Sequence, residues 1–420
     1  MKPVITLISS LKKMGCLFKG RVPGQLVIQY TDKCNAKCPQ CSMRVSNLFN
    51  RSKLDMDTVK RIIDYAVENG IHAISFTGGE PLLFFDEIAV LLKYAKDAGI
   101  RYTRTGTNGF LFIESGRNDY EARIARVAES LAETGIYTFW ISIDSAIPAL
   151  HEDMRGLPGV ISGIEKALPI FREHGIYPSA NLGINRNIID SCPSGASQVS
   201  DIYEVYREAF RKYYRFIIDL GFTMVNACYP MSDHNDRNDA LNAVYGATSE
   251  SHLVQFSSGE KVVMFQTLSD TITEFRSKIR IFSPKSSLYS LMRQYAVGEA
   301  SCYPCRGGKE FFFIDARNGD TYPCGYRGDE NLGKFWRLDL AGTGIKELCR
   351  KCDWECFRDP SEMFGPLLSL FTEPAAFIER NMKDRAYMKL WYKDLKYFSA
   401  CDFFNGRIPP DYKKLARYSV

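Results

Sequence analysis

Nowhere in the 420 residues do about 18 apolar residues run together, so no transmembrane helix is expected. The N-terminus, MKPVITLISSLKKMGCLFKGR, also lacks a secretion signal, because Lys12 and Lys13 break the apolar run before any small-residue cleavage site. There is no long Lys/Arg run or zinc-finger spacing, and the net charge is only +5, so a nucleic-acid partner is not expected. Low-complexity linkers are missing too. Histidine is scarce: His151, His234 and His252 have no metal-ligand companions at helical spacing and read as ordinary polar residues. A composition 45% hydrophobic and 25% charged excludes wholesale disorder.

Cysteine, by contrast, is abundant. Thirteen residues, an odd number clustered in short C-x-x-C spacings, argue against a small secreted disulfide scaffold and for a reducing cytoplasm. Between the clusters runs a repeated phrase in which an amphipathic helix ends at a glycine and a β-rich segment follows at once. The five glycines are Gly70, Gly99, Gly135, Gly175 and Gly221, each suited to the left-handed residue that closes a helix. Core-type spacing precedes them, as in Val59, Ile62, Ile63 and Ala66, or Ile164, Ala167, Leu168 and Phe171. With QLVIQY at 25–30 as a first strand, this gives six strands joined by helical crossovers and a parallel sheet. Six β/α units are too few for a closed eightfold barrel, and they predict an α/β fold built on a partial (β/α)6 TIM-like barrel. Its functional groups should lie at the carboxyl ends of the strands.

The chemically suggestive residues fall at those ends. YTDKCNAKCPQCSM places Cys34, Cys38 and Cys41 after the first strand with no fourth cysteine nearby. Three thiolates on one loop can ligate three irons of a 4Fe-4S cluster and leave the fourth open, whereas structural zinc normally takes four protein ligands. Zinc closed by a distant residue is the alternative that spacing leaves open. Further along come TGGEP (Thr77 to Pro81), GTNG, SIDS (142 to 145), HEDMRG, and Asn181 and Asn185 on the fifth strand.

This constellation resembles the radical S-adenosylmethionine (SAM) superfamily, over roughly residues 25 to 230. The resemblance implies that Cys34, Cys38 and Cys41 hold a 4Fe-4S cluster whose open iron binds the methionine part of SAM. Thr77, Gly78, Gly79 and Glu80 would form the glycine-rich SAM motif, with Glu80 facing the ammonium group and the two glycines allowing close approach to the ligand. Ser142 and Asp144 would hold the ribose, Arg155 would pair with the SAM carboxylate, and Asn181 is a further contact. Cys228, ending the sixth strand, is a candidate hydrogen-atom or proton donor beside its plainer reading as a small buried hydrophobe. Cys16 and Cys192 receive no role.

A second cysteine field, Cys302, Cys305, Cys324, Cys349, Cys352 and Cys356, resembles the SPASM or Twitch extensions of the same superfamily, which hold auxiliary clusters. Gly319-x4-Cys324 fits their hairpin. The segment CRKCDWEC departs from the full SPASM pattern, so two ligand sets stay open. SPASM analogy gives Cys302, Cys305, Cys324 and Cys356, leaving Cys349 and Cys352 for an incomplete second cluster with Cys401; Twitch analogy gives Cys305, Cys324, Cys349 and Cys352. One auxiliary 4Fe-4S cluster is favoured, and a zinc ribbon is the competitor.

The expected organisation is an N-terminal amphipathic segment over 1–24, the barrel over 25–299, the cysteine-rich module over 300–360 and a helical, basic-aromatic extension over 361–420. That extension carries ten Lys or Arg against four acids after residue 379, which suits a membrane surface, an anionic ligand or a helix packed on the barrel through Trp391, Leu395 and Phe398. Cytoplasmic placement with peripheral membrane contact is therefore left open. The resemblance implies reductive cleavage of SAM to a 5′-deoxyadenosyl radical, hydrogen abstraction for an oxidation or bond formation on a peptide or small molecule, and an electron donor such as flavodoxin or ferredoxin. The chain reaches its first strand within about 25 residues, so no leader-peptide-binding domain is expected, nor is a cobalamin domain evident. A redox-neutral reaction on a lipid, isoprenoid or nucleotide-sugar is the alternative among enzymes. A non-catalytic iron-sulfur or zinc redox-sensing protein is the alternative outside them.

Overall fold

The structure is a computed structural model that describes residues 16–41, 50–189, 199–230, 251–298, 303–340, 349–350 and 352–419. Most of the N-terminal amphipathic segment, Cys192, His234 and Cys302 lie outside the described residues.

Seven strands run parallel in chain order: β1 (Gly24–Thr31), β2 (Ile71–Gly78), β3 (Tyr102–Thr107), β4 (Thr138–Ser142), β5 (Ser179–Gly183), β6 (Met224–Cys228) and the short β7 (Arg280–Ile281). Helices α1 (Met56–Glu68), α2 (Phe85–Ala98), α3 (Tyr120–Glu133), α4 (Pro148–Arg155), α5 (Val160–Glu173) and α6 (Val199–Asp219) cross between the first six. Helix α1 starts where the Asp55 carboxylate accepts the Thr58 N–H, and it buries Val59, Ile62, Ile63 and Ala66, the four residues its spacing marks. Each of the five closing glycines has positive φ, between 66° at Gly135 and 116° at Gly99, where a Cβ would be strained. The core formed by the helices' inner faces and the outward residues of the strands is continuous through all six units.

Beyond the barrel, α7 (Ser258–Phe275) opens on a Ser257/Glu260 capping box and packs against α8 (Lys285–Val297). The cysteine-rich segment then returns to the start of the chain. Strand β8 (Phe311–Ile314) pairs parallel with β1, from Gln25↔Phe311 to Ile28↔Ile314, and β9 (Asp320–Tyr322) and β10 (Gly333–Lys334) extend the same ten-stranded sheet antiparallel. Gly319 turns the β8–β9 hairpin at φ 68°, as its sequence position predicts.

Helix α9 (Glu355–Thr372) crosses the expected boundary at 360 and joins the module to the barrel. Its Asp359 accepts from Tyr229 at the end of β6 (3.1 Å) and from Ser287 on α8 (2.5 Å), while Arg358 pairs with Glu362 at 3.2 Å. Helices α10 (Pro374–Lys383) and α11 (Arg385–Ala400) follow. Trp391 and Tyr397 of α11 are buried and Trp391 donates to the Met363 carbonyl at 3.0 Å, so these aromatics are spent on packing. Among the described residues no helix is long and apolar enough to cross a membrane.

Candidate active site

At the carboxyl ends of the parallel strands a cavity of about 300 Å³ gathers Cys34, Cys38 and Cys41 from the loop after β1, Thr77 to Glu80 at the end of β2, Ser142 and Asp144 at the end of β4, Asn181 on β5, and Arg155 at the end of α4. Five separate elements thus deliver the residues that the sequence motifs single out.

The two glycines at the end of β2 have a different immediate cause from the one their motif suggests. A Cβ on Gly78 would lie 1.9 Å from the Thr31 carbonyl oxygen, and one on Gly79 would lie 2.2 Å from that of Lys33. The turn presses against the root of the cysteine loop, where Gly79 N donates to Thr31 O and Glu80 N to Lys33 O, both at 2.8 Å. Backbone contact therefore fixes the cysteine loop to the second strand before any ligand is considered. Glu80 is fully buried and accepts from Leu82 N (3.0 Å) and Asn108 N (2.6 Å), so it also caps the turn that follows. Burial pushes its carboxyl up to about 7, with the backbone donors opposing.

Asp144 is the other organising residue. One carboxylate oxygen accepts from Arg155 (2.6 Å) and Gln40 (3.1 Å), and the other from Gly183 N (3.2 Å). Its backbone N–H donates to His151 Nδ1 at 3.1 Å, so His151, expected to be an ordinary polar residue, is instead a wholly buried acceptor. Burial and then Arg155 lower that imidazole to about 3, which keeps it neutral. Although burial disfavours the charge of Arg155, the Asp144 carboxylate holds its pKa above the ordinary value, and its carbonyl accepts from Lys37 N at 2.7 Å inside the cysteine loop. Sequence reasoning missed this ion pair and missed Gln40 and Asn108. Asn108 donates to Asn35 (2.9 Å) and lies 3.7 Å from Cys34 Sγ, and its place in GTNG at a strand end was the available signal. Asn185 is tied to the Asp144 and Gly183 carbonyls and braces the loop.

Two observations test whether a cluster and SAM fit. Among the described residues no three Cys, His, Asp or Glu side chains are gathered tightly enough for a single metal ion, for which tetrahedral thiolates would stand about 3.8 Å apart. A cluster that takes one thiolate per iron spreads its ligands over a wider base. Gln40 Oε1 and Arg155 Nε, both in the cavity wall, are buried without a partner among the described residues, and a zwitterionic ligand supplies the donor and acceptor they lack. Burial holds the Cys34 and Cys38 thiols up, the latter at about 11, so ligation there must displace protons.

In the second field, Cys305, Cys324, Cys349 and Cys352 lie in or against one apolar cluster, near enough for their charges to interact. Burial raises the thiol pKa of Cys352, and Cys324, Cys305 and Cys349 add to it by proximity. Cys305 N donates to Cys349 O at 2.8 Å. Cys305 and Cys324 each accept the N–H two residues on, from Gly307 and Tyr326 at 3.4 Å, and Cys34 does the same from Ala36 at 3.5 Å. Such donors stabilise thiolate sulfur. Cys356, on α9, packs against the same apolar cluster, but its sulfur lies 3.6 Å from the Glu355 carboxylate and near Cys228. Cys228 in turn lies 3.4 Å from Asn181 Oδ1. Cys401 is buried against Tyr397 and Phe404, away from both fields.

An open parallel β/α barrel with three thiols and a polar cavity at its carboxyl end defines a class, the cofactor-dependent α/β enzymes. Residues 28–185 match the Radical SAM superfamily, and the chain is a radical SAM enzyme that uses SAM and a 4Fe-4S cluster. It is 22% identical to the AdoMet-dependent heme synthase of Methanosarcina barkeri over 82% of this chain and 87% of that one. Over 34% of this chain and 42% of the other it is 31% identical to the GTP 3′,8-cyclase of Alkaliphilus metalliredigens. Among solved structures, anSMEcpe with bound AdoMet and Cp18Cys peptide aligns over 80% of this chain and 88% of that one at 16% identity and TM-score 0.51. Streptococcus suis SuiB bound to precursor peptide SuiA aligns over 82% and 72% at 20% identity and TM-score 0.50, so the likeness of both is one of fold.

Proposed function

We propose that the chain holds two 4Fe-4S clusters, one on Cys34, Cys38 and Cys41 and one of Twitch type on Cys305, Cys324, Cys349 and Cys352, and uses them in a hydrogen abstraction from an organic substrate. When bound, the first cluster and SAM supply one-electron cleavage of SAM to methionine and a 5′-deoxyadenosyl radical. The chain's own residues then do three things. Arg155 and Gln40 meet the methionine end through the polar atoms they leave unpaired, with Glu80 set behind the turn opposite its ammonium group. Ser142, Asp144 and Asn181 line the side where the ribose would lie. The barrel excludes water from the radical.

The observation that carries the ligand set is the mutual proximity of Cys305, Cys324, Cys349 and Cys352, with Cys356 turned to Glu355 and Cys228. Cys356 and Cys228 are then free to act as lumenal thiols, and a peptide or small molecule is the substrate class; the relatives' names point to small molecules and the titles of the fold neighbours to peptides. An electron donor of flavodoxin or ferredoxin type completes the cycle. The test is iron and sulfide analysis of the anaerobically reconstituted protein. Wild type and Cys356→Ala should each hold about eight irons per chain, and Cys352→Ala about four. Loss of iron in Cys356→Ala with retention in Cys352→Ala would sink the assignment.

A further inference from the structure

The five arginines buried among the described residues have partners: Arg155 has Asp144 and Arg276 has Asp394, both at 2.6 Å, Arg306 has Glu310 at 2.6 Å, Arg358 has Glu362, and Arg280 donates to the carbonyls of Thr223, Asn405 and Ile408. Arg104 is different. It is only half-buried, on the lumenal face of β3 with Tyr137, Cys356 and Tyr102 nearest its charge, and its guanidinium forms no hydrogen bond or ion pair with any described residue. Burial lowers its pKa, the mark of a cation short of an anion.

Arg104 lines a second cavity, of about 210 Å³, between the amino ends of β1 to β4 and helices α9 and α11. The rest of that wall is mostly apolar, with Phe311, Met363, Leu367 and Leu395 among its residues, and its one carboxylate, Asp359, is engaged by Ser287 and Tyr229. A loop closes the outer side. There Asp402, Phe403 and Phe404 hold φ of 49°, 51° and 60°, three consecutive left-handed residues that are not glycine. That strained backbone sets two phenyl rings at the cavity, Phe403 remaining 57% exposed, and is tied down by Tyr137 Oη donating to Phe403 O at 2.9 Å. On the inner side, Gly106 follows Arg104 by two residues on the same face of β3 and lines the cofactor cavity, about 6.6 Å further along the strand.

We propose that this second cavity binds an aliphatic carboxylate, its carboxylate on Arg104 and its chain against the apolar wall, and that this is the substrate class of the enzyme. The inference rests on the radical SAM reading and places the carbons nearest the carboxylate beneath the cofactor. Complementarity fixes the choice, since the cavity offers one unpaired cation and little other free polar capacity.

The reconstituted, SAM-loaded protein is titrated with decanoate and with decanol. Decanoate should bind at least about tenfold more tightly, and Arg104→Gln should erase that preference while leaving decanol affinity within about twofold. Arg104→Lys should retain part of the preference, and Leu395→Trp, which fills the cavity, should weaken both ligands. Equal binding of the two by wild type, binding of neither, or an unchanged preference in Arg104→Gln overturns the proposal. Formation of 5′-deoxyadenosine without added acid, measured on the same preparation, reports separately on the radical SAM reading.

Discussion

Asp144 concentrates more of this site's architecture than any motif around it suggests. It neutralises a buried guanidinium, accepts from Gln40 in the cysteine loop, and fixes the Gly183 end of β5. Asp144→Asn leaves Arg155 charged, buried and poorly compensated, and should cost about 3–5 kcal/mol of stability by urea denaturation of the apo-protein. A loss under about 1 kcal/mol would mean that Arg155 finds another partner. Asp359 makes a complementary prediction. Burial raises its carboxyl to about 8, so the native state keeps a proton that the unfolded state releases near pH 4. Its contribution is complete below the unfolded value and is lost as pH climbs through 8, a decline of up to about 1.4 kcal/mol per pH unit in between. Asp359→Asn should flatten unfolding free energy between pH 6 and 8 relative to wild type. An unchanged slope would place the titration elsewhere.

At the scale of elements, the cysteine loop owes its position to neighbours as much as to its own sequence. The turn after β2 touches it through the Gly78 and Gly79 backbones, and Arg155 O receives Lys37 N. Gly79→Ala puts a methyl group where the Lys33 carbonyl stands. It should reduce iron uptake at Cys34, Cys38 and Cys41 severalfold, read as iron per chain in a protein whose second cysteine field is intact. Normal uptake would show that the turn gives way at little cost. This dependence explains what the sequence could and could not disclose. Helices, their glycine stops and the strand ends follow from local periodicity and backbone sterics, and so are legible. The Asp144–Arg155 pair and the acceptor role of His151 depend on how α4 folds back on the end of β4, and the backbone reason for Gly78 and Gly79 depends on which strand ends meet, neither of which a residue pattern records. Motif position brings Thr77 to Glu80, Ser142 and Asn181 to the cavity wall because they stand at strand ends, where only the order of strands matters.

Over the whole molecule, the cysteine-rich segment is a continuation of the barrel sheet through β8 against β1, closed on the far side by α9 against β6 and α8. The alternation of helix and strand made the partial barrel readable. The return of β8 to β1 was not, because FFFI carries no mark of its partner. Such a join would give the proposed cluster on Cys305, Cys324, Cys349 and Cys352 a rigid position relative to the lumen, while Cys228 and Cys356 both lie beside Glu355. The basic-aromatic extension spends Trp391 and Tyr397 on this closure, so a membrane surface is not needed to account for them. The most direct test is anaerobic turnover of SAM by the reconstituted, chemically reduced protein. Wild type should form 5′-deoxyadenosine and methionine, and the triple variant Cys34→Ala, Cys38→Ala, Cys41→Ala should form neither while keeping about half the iron. Absence of 5′-deoxyadenosine from wild type with both clusters intact and reduced would contradict the account.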